Sequence, residues 1–329
     1  MTDANPPILS VVVAIASDTI SPTDTRHLAP CLAALEAQTD SPPMEIIVPL
    51  PVGVVGIDSL RERFRDVRFF EYADLRKYSR QGRSREHHGE LIARGFAQAR
   101  GALIALIEDH DMPAPDWSAN AVRAHQSAWA GVGGAIENSV DTPLNWAVYF
   151  SDFQLYQNPL QAGPSARASD ACVIYKKSAL EKIRALWEKE FHEASVNGAL
   201  AECGEKLALD PHVVVYQRRK DLQLGTALEE RFIWGRSFGA WRCLRAGLAQ
   251  RLVWIVFSPI LPFLLTVRRT RIALEKRRNL GAFLRALPLT FLLTVSWSCG
   301  ELIGYITRRA VSSEIARAQA LFARRGDAE

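Results

Sequence analysis

The sequence predicts an α/β fold: a mostly parallel sheet flanked by helices, followed by a C-terminal helical, membrane-associated region. Three observations predict it. Apolar, β-branched runs alternate with helical patterns four times in the first third of the chain. An acidic group, Glu108-Asp109-His110-Asp111, follows the fourth run directly. Beyond Trp241 the composition changes: Leu252 to Val267 is uncharged, and Leu287 to Ile306 is apolar apart from Glu301. The expected division is one domain over residues 1–245 and a tail over 246–329.

In order along the chain, Ile8 to Ala16 is an apolar, β-branched run and reads as a buried strand. A loop rich in Ser, Asp, Thr and Pro follows, then a helical pattern through Leu28, Cys31, Leu32 and Leu35. Met44 to Val48 and Val67 to Tyr72 read as the second and third strands. Glu86 to Ala99 places Leu91, Ile92 and Phe96 at helical spacing, and Ala102 to Ile107 reads as the fourth strand. From Asp116 the pattern is mixed: a helix to Trp129, a Gly-rich strand from Gly131 to Glu137, and an aromatic stretch from Trp146 to Tyr156. Leu180 to Trp187 and Ala199 to Leu207 read as helices, and Val213 to Tyr216 as a strand.

The 329 residues are 48% hydrophobic and 23% charged, a globular composition that can bury a sizeable core. A net charge of +4 is too mild for a nucleic-acid binder, so none is expected as a partner. The five cysteines are scattered with no C-x-x-C pair, which points to a reducing compartment and away from a cysteine zinc site. Met1 to Pro7 lacks the basic and apolar regions of a signal peptide, so the N-terminal domain is expected in the cytoplasm. Neither a P-loop nor a dinucleotide glycine motif follows any strand.

In open α/β sheets, ligands bind beyond the carboxyl ends of the strands, where Glu108 to Asp111 lies. Two carboxylates two residues apart on such a turn can hold a divalent cation that neutralises a diphosphate. The alternative is that they stay solvated or cap the next helix, as Asp116 is placed to do.

The stretch Arg94-Gly-Phe-Ala-Gln-Ala-Arg-Gly101-Ala-Leu-Ile-Ala-Leu-Ile-Glu-Asp-His-Asp-Met-Pro-Ala-Pro-Asp-Trp117 resembles the core of glycosyltransferase family 2. The Glu-Asp-His form is similar to a bacterial subgroup with C-terminal membrane segments. The likeness continues through Gly133 to Asn138 and Trp146 to Tyr149. It implies a GT-A type, Rossmann-like sheet and transfer from a nucleotide-sugar donor. It further implies that Asp109 and Asp111 are the D-x-D pair, Asp109 near ribose or metal and Asp111 on Mg²⁺ or Mn²⁺. Arg94 and Glu108 fall in the same donor-binding stretch.

The family's acidic pair on the acceptor side corresponds to Phe191-His192-Glu193. An inverting transfer needs a base for the acceptor hydroxyl, and Glu193 is the candidate, with His192 second. A helix N-terminal acid that stabilises the dipole is the alternative. Arg231 and Arg236 are candidates for donor phosphate, against snorkelling at an interface. Glu229-Glu-Arg-Phe-Ile-Trp234 departs from the Q-x-x-R-W motif of processive members, which implies a non-processive enzyme. Ala168-Ser-Asp-Ala171 departs from the small polar motif the family carries before its strand.

In the tail, Leu252 to Val267 would make a helix of about 24 Å, short of the roughly 30 Å hydrocarbon core, and Pro259 and Pro262 should break or kink it. Leu287 to Ile306 is long enough to span. Between them stand Arg268, Arg269, Arg271, Lys276, Arg277, Arg278 and Arg285 against Glu275 alone. Two spans would put this basic linker outside, so a re-entrant or interfacial hairpin on anionic lipid is expected instead. Glu301 should face protein, and Gly300-x-x-x-Gly304 would permit close helix contact. The expected partners are a nucleotide-sugar donor, a lipid-linked or glycan acceptor and the cytoplasmic face of a bacterial inner membrane, with homo-oligomers left open. A catalytically weakened domain serving polysaccharide assembly is the second functional expectation.

Overall fold

A computed structural model describes residues 6–15, 25–75, 87–243 and 246–309. The acidic, proline-rich start to residue 5, the loop after the first strand (16–24) and residues 76–86 lie outside the described residues. The chain divides into two compact units, Met1–Ser139 with Tyr156–Arg219, and Val140–Leu155 with Lys220–Glu329. The packing boundary thus falls at Lys220, ahead of the change in composition, and the second unit also takes Val140–Leu155 from the middle of the chain.

Among the described residues, the first unit holds nine strands: β1 (Leu9–Ala14), β2 (Met44–Pro51), β3 (Val67–Tyr72), β4 (Leu103–Glu108), β5 (Asp111–Pro113), β6 (Gly131–Asn138), β7 (Gly163–Ser165), β8 (Cys172–Lys176) and β9 (Leu207–Gln217). Its helices are α1 (Leu28–Glu36), α2 (Ile57–Arg63), α3 (His88–Gln98) and α4 (Trp117–Ala124). The second unit opens with α5 (Pro143–Asp152). The first then continues with α6 (Lys177–Lys182), α7 (Arg184–Trp187) and α8 (Glu193–Glu202).

The strand order is β3-β2-β1-β4-β8-β6-β9-β5, with β7 also on β9. β3, β2, β1 and β4 are parallel, as expected, but the sheet as a whole is mixed. β8 enters from the carboxyl ends of the parallel strands and so runs antiparallel to β4, Ile107 facing Cys172. That reversal puts the residues just before β8 beside the turn that follows β4.

Buried side chains of the sheet, among them Val12, Ile104, Leu106 and Tyr175, pack with Ile92 and Phe96 of α3, Trp187 of α7 and Val196 and Leu200 of α8. Phe96 meets Trp187 and Phe191 edge-on at centroid distances of 5.7 and 5.3 Å. The stretch Ala199 to Leu207, expected as one helix, is the end of α8, a turn through Gly204 at φ +77°, and the first residue of β9. Glycine in the left-handed region is a common helix terminator.

The second unit is helical: α5, then α9 (Leu224–Arg242), α10 (Leu248–Phe257), α11 (Leu261–Lys276) and α12 (Leu280–Thr307). The prolines do not break the tail. Pro259 lies in a single 3-10 turn and Pro262 in the first turn of α11, where a missing N–H costs nothing, so Leu248–Lys276 reads through for 29 residues. It and the 28-residue α12 are both long and apolar enough to cross a membrane, by length and composition.

Helices α9 and α12 meet backbone to backbone. A Cβ on Gly235 would strike the Trp297 carbonyl oxygen, one on Gly239 that of Glu301, one on Gly300 that of Phe232, and one on Gly304 that of Arg236. Two G-x-x-x-G steps interlock here. Glu301 is 2% exposed and faces protein: its carboxylate accepts from Arg242 Nη1 at 3.1 Å, from Trp297 Nε1 at 2.9 Å and from the Tyr305 hydroxyl. Gly300→Leu should cost about 3 kcal/mol, at the upper end for overpacking a tight core. Gly281→Ala, in the same helix with open space around it, should be neutral or stabilising. Equal melting temperatures for the two variants would refute the interlock.

Candidate active site

The site is built at the carboxyl end of β4. Strands β1 and β4 stay in register to their ends, with Ala14 beside Glu108, and the Asp109 N–H donates to the Ala14 carbonyl at 2.9 Å. The chain then turns at once. Glu108 N–H donates to Asp111 Oδ2 at 2.9 Å, closing the turn, and Arg218 N–H donates to the His110 carbonyl at 2.9 Å. Asp111 opens β5 opposite Gln217 of β9, whose side-chain amide donates to Asp111 Oδ1 at 2.5 Å. The second acid of the D-x-D is therefore a turn former as well as a candidate ligand.

Glu108, Asp109, His110 and Asp111 are all buried. The His110 ring lies between two acids, with Nε2 3.2 Å from Glu108 Oε2 and Nδ1 3.4 Å from Asp109 Oδ1. His88, the first residue of α3, approaches Glu108 Oε1 at 4.0 Å. One ligand atom from each of Glu108, His110 and Asp111 lies within 4.8 Å of the others. Two carboxylates suit Mg²⁺ or Mn²⁺, and the imidazole nitrogen inclines the set toward the transition metal. Asp109, expected to share the metal with Asp111, stands against the far nitrogen of His110. Burial pushes the Asp111 carboxyl well above the usual carboxylate range, and the charges of Glu108, Asp109 and Asp170 add to it against the opposing Glu108 N–H. Its own hydrogen-bond donors, an amide N–H and a glutamine, are neutral. A cation placed among these acids would reverse that shift.

Glu193 is held from the other side. Phe191 is an anchor in the core, 3% exposed, with its N–H on the Gly89 carbonyl of α3 at 2.8 Å. His192 is the N-cap of α8, its Nδ1 accepting from Ser195 N–H at 3.3 Å and lying 3.0 Å from the Ser195 hydroxyl. Burial holds the His192 ring below the ordinary histidine range, with the charge of Asp170 opposing. Glu193 opens the helix. Burial raises its carboxyl well above the usual range, and Asp170 raises it further. Tyr156 and Tyr175 lie within reach of the same charges.

The link between the two halves is Asp170, which sequence reasoning did not single out. Its charge is felt at both Asp111 and Glu193. No spacing marks it, since it reaches the site only through the reversal of β8. Its loop is fixed by Asn197 of α8, whose amide donates to the Ala168 carbonyl at 2.9 Å and accepts from the Tyr175 hydroxyl at 2.9 Å.

The other candidates are placed differently. Arg94 pairs with Asp74 at 3.0 Å and Glu90 at 3.1 Å and lies over the Tyr72 ring. Arg231 is buried in the second unit, paired with Glu230 at 2.6 Å and with Asp152, and stacked on Trp234. Arg236 donates to the Arg309 carbonyl at 3.1 Å. A separate cleft of about 420 Å³ in the first unit, lined by Arg123, Trp129, Asp210 and His212 among others, shares no residue with the acidic group.

No family model matches the chain, and no curated protein matches it. Among solved structures it is similar to mannosyltransferase PcManGT from Pyrobaculum calidifontis in complex with GDP-Man and Mn²⁺. Identity there is 15% and the TM-score 0.43, over 99% of this chain and 82% of that one. It is also similar to S. aureus TarS 1-349, at 14% identity and a TM-score of 0.44, over 88% of this chain and 90% of that one.

Proposed function

We propose that this protein is a glycosyltransferase that moves a sugar from a nucleotide-diphosphate donor to a membrane-proximal acceptor, a lipid-linked glycan or glycolipid, with inversion and without processivity. The observation that carries the reading is the buried Glu108–His110–Asp111 group at a strand end, with Asp170 within electrostatic reach of both Asp111 and Glu193. Glu108, His110 and Asp111 would hold Mn²⁺ or Mg²⁺. When bound, the cation would neutralise the donor diphosphate and stabilise it as a leaving group. Glu193 takes the proton of the acceptor hydroxyl as that oxygen attacks the anomeric carbon and the bond to the diphosphate breaks. Burial raises its carboxyl above the usual range, which favours uptake of a proton. His192, capping α8 with its own ring, orients the helix start. A screen of nucleotide-sugars for nucleotide release, with Mn²⁺ and a lipid extract as acceptor, tests the reading; no release from any donor sinks it.

A weakened domain acting as an assembly partner is the second reading. What favours it is that His110 already bridges Glu108 and Asp109, so the acids are partly satisfied within the protein.

Membrane association at the cytoplasmic face of a bacterial inner membrane belongs to the same proposal. Leu252, Val256, Ile260, Phe263, Leu264 and Val267 make an apolar stripe along α10 and α11, 48% to 69% exposed. A contiguous exposed apolar stripe marks a membrane or protein interaction site. The turn between α11 and α12 carries Arg277 and Arg278, just after Lys276 at the end of α11. The C-terminal half of α12 is sheathed by α9, which supports a hairpin lying on one leaflet over two spans. Arg269 is excluded from the lipid-facing set, because its guanidinium donates to the Phe150 and Ser151 carbonyls at the end of α5. Neutralising Arg268, Arg271, Arg277 and Arg278 together should release much of the protein from anionic liposomes, at about 1 kcal/mol per basic residue near the surface. Labelling of Asn279→Cys from outside intact cells would show that both segments cross.

A further inference from the structure

We propose that the cleft between the end of α4 and strands β7 and β9 is a saccharide-binding site, separate from the acidic group and independent of the transfer reading. Its volume, about 420 Å³, falls within the range of small-molecule pockets, roughly 300–1,000 Å³.

The cleft is furnished by an irregularity in β9. Gly134 of β6 faces Asp210, but Ala135 faces Val214, so Pro211, His212 and Val213 bulge out of the ladder. A Cβ on Gly134 would strike the Val213 carbonyl oxygen, so glycine is what leaves room for the bulge. The buried Asn120 of α4 donates to the His212 carbonyl at 2.8 Å, and the Asn158 side chain donates to the Pro211 carbonyl at 3.1 Å. Bulges re-aim side chains. The side chain re-aimed here is His212, 76% exposed and part of the cleft lining.

Asp210 fixes that ring. Its Oδ1 accepts from the His212 N–H at 2.9 Å and lies 3.0 Å from Nδ1. A carboxylate only accepts, so Nδ1 carries a proton and Nε2 is the acceptor of the neutral ring. Arg123, exposed in the last turn of α4, brings donors to the same lining. Trp129, half-buried, brings an indole, and the negative face of such a ring attracts the C–H bonds of a pyranose. Arg123 and Asp210 are the charged residues of the lining, one of each sign. An anion would meet Asp210 and a cation would meet Arg123. An uncharged ligand whose hydroxyls both donate and accept satisfies the two together, and a sugar is such a ligand.

The test uses the full chain in a detergent without a sugar headgroup, with neither donor nor metal present. Maltose, cellobiose, mannobiose and chitobiose are titrated by ligand-observed NMR. At least one should bind saturably, and Trp129→Ala and His212→Ala should each weaken it by about tenfold or more. His212 is exposed enough that its loss leaves the fold intact, so this variant decides the matter if Trp129→Ala does not fold. Asp111→Asn, altered in the acidic group, should bind the sugar as wild type does. Saturable binding by none of the probes would overturn the site, as would binding unchanged in His212→Ala or lost in Asp111→Asn. Displacement of the sugar by inorganic phosphate would overturn it too, and would assign the cleft to an anion.

Discussion

Asp111→Ala should abolish metal-dependent donor binding, a loss of the order of 10²-fold or more in affinity, about 2.7 kcal/mol. The side chain supplies one of three ligand atoms within 4.8 Å, and it is the one that both flanking strands fix in place. Removing it leaves a cation under-coordinated and takes one negative charge from the group. The fold should survive, because the cost is confined to two neutral donors, Glu108 N–H and the Gln217 amide, at about 1–3 kcal/mol for each that is left unpaired. Asp111→Asn separates the effects: its amide oxygen can still close the turn but carries no charge for the metal. Calorimetry with nucleotide-sugars in excess Mn²⁺ reads the outcome. Unchanged affinity in both variants would defeat the assignment.

Glu193→Gln should keep donor binding and lower turnover by a factor of about 10² or more, within the range of general-base contributions. The amide oxygen can still accept from Asp170 N–H, so the start of α8 keeps its place, and only the capacity to take a proton is lost. Donor affinity equal to wild type with collapsed turnover is the expected pattern. Near-normal turnover would move the role to His192 or to another carboxylate.

What the sequence disclosed about this molecule follows the range of the interactions involved. The strand Val67–Tyr72 is found where the sequence reading placed it, and β1 and β4 are found within two residues. β1 and β4 are buried central strands whose signal is local, and β3, a half-buried edge strand, shows by its aromatic residues. β5 and β7 are three-residue strands, one containing Pro113 and the other Pro164, and no periodicity can mark so short a piece. β8, which follows the Ala168–Ala171 stretch where the resemblance implied a strand, carries no clear periodic signal of its own, because it passes into α6 without a loop. Glu108, Asp109, His110 and Asp111 were visible because they are consecutive. The placement of Asp109 behind His110 and the arrival of Asp170 were not, since both depend on which strand lies beside β4. The prolines of the tail misled for a local reason, because their effect on a helix depends on whether they fall in its first turn.

The aromatic face of α5 has a consequence for synthesis. Trp146 stacks on Phe150 at 5.3 Å, and Phe150 meets Phe283 of α12 edge-on at 5.1 Å, while Arg269 of α11 and Arg231 of α9 bind the end of the same helix. α5 leaves the ribosome long before any of these partners exists. At roughly 5–20 residues per second it must wait on the order of ten seconds for α12. For that interval a growing chain carries Trp146, Tyr149 and Phe150 uncovered between two stretches of a sheet that is itself still incomplete. The nascent chain therefore exposes that apolar face until the tail emerges. Cutting the gene after Trp241 removes α12 and so leaves Phe150 without Phe283.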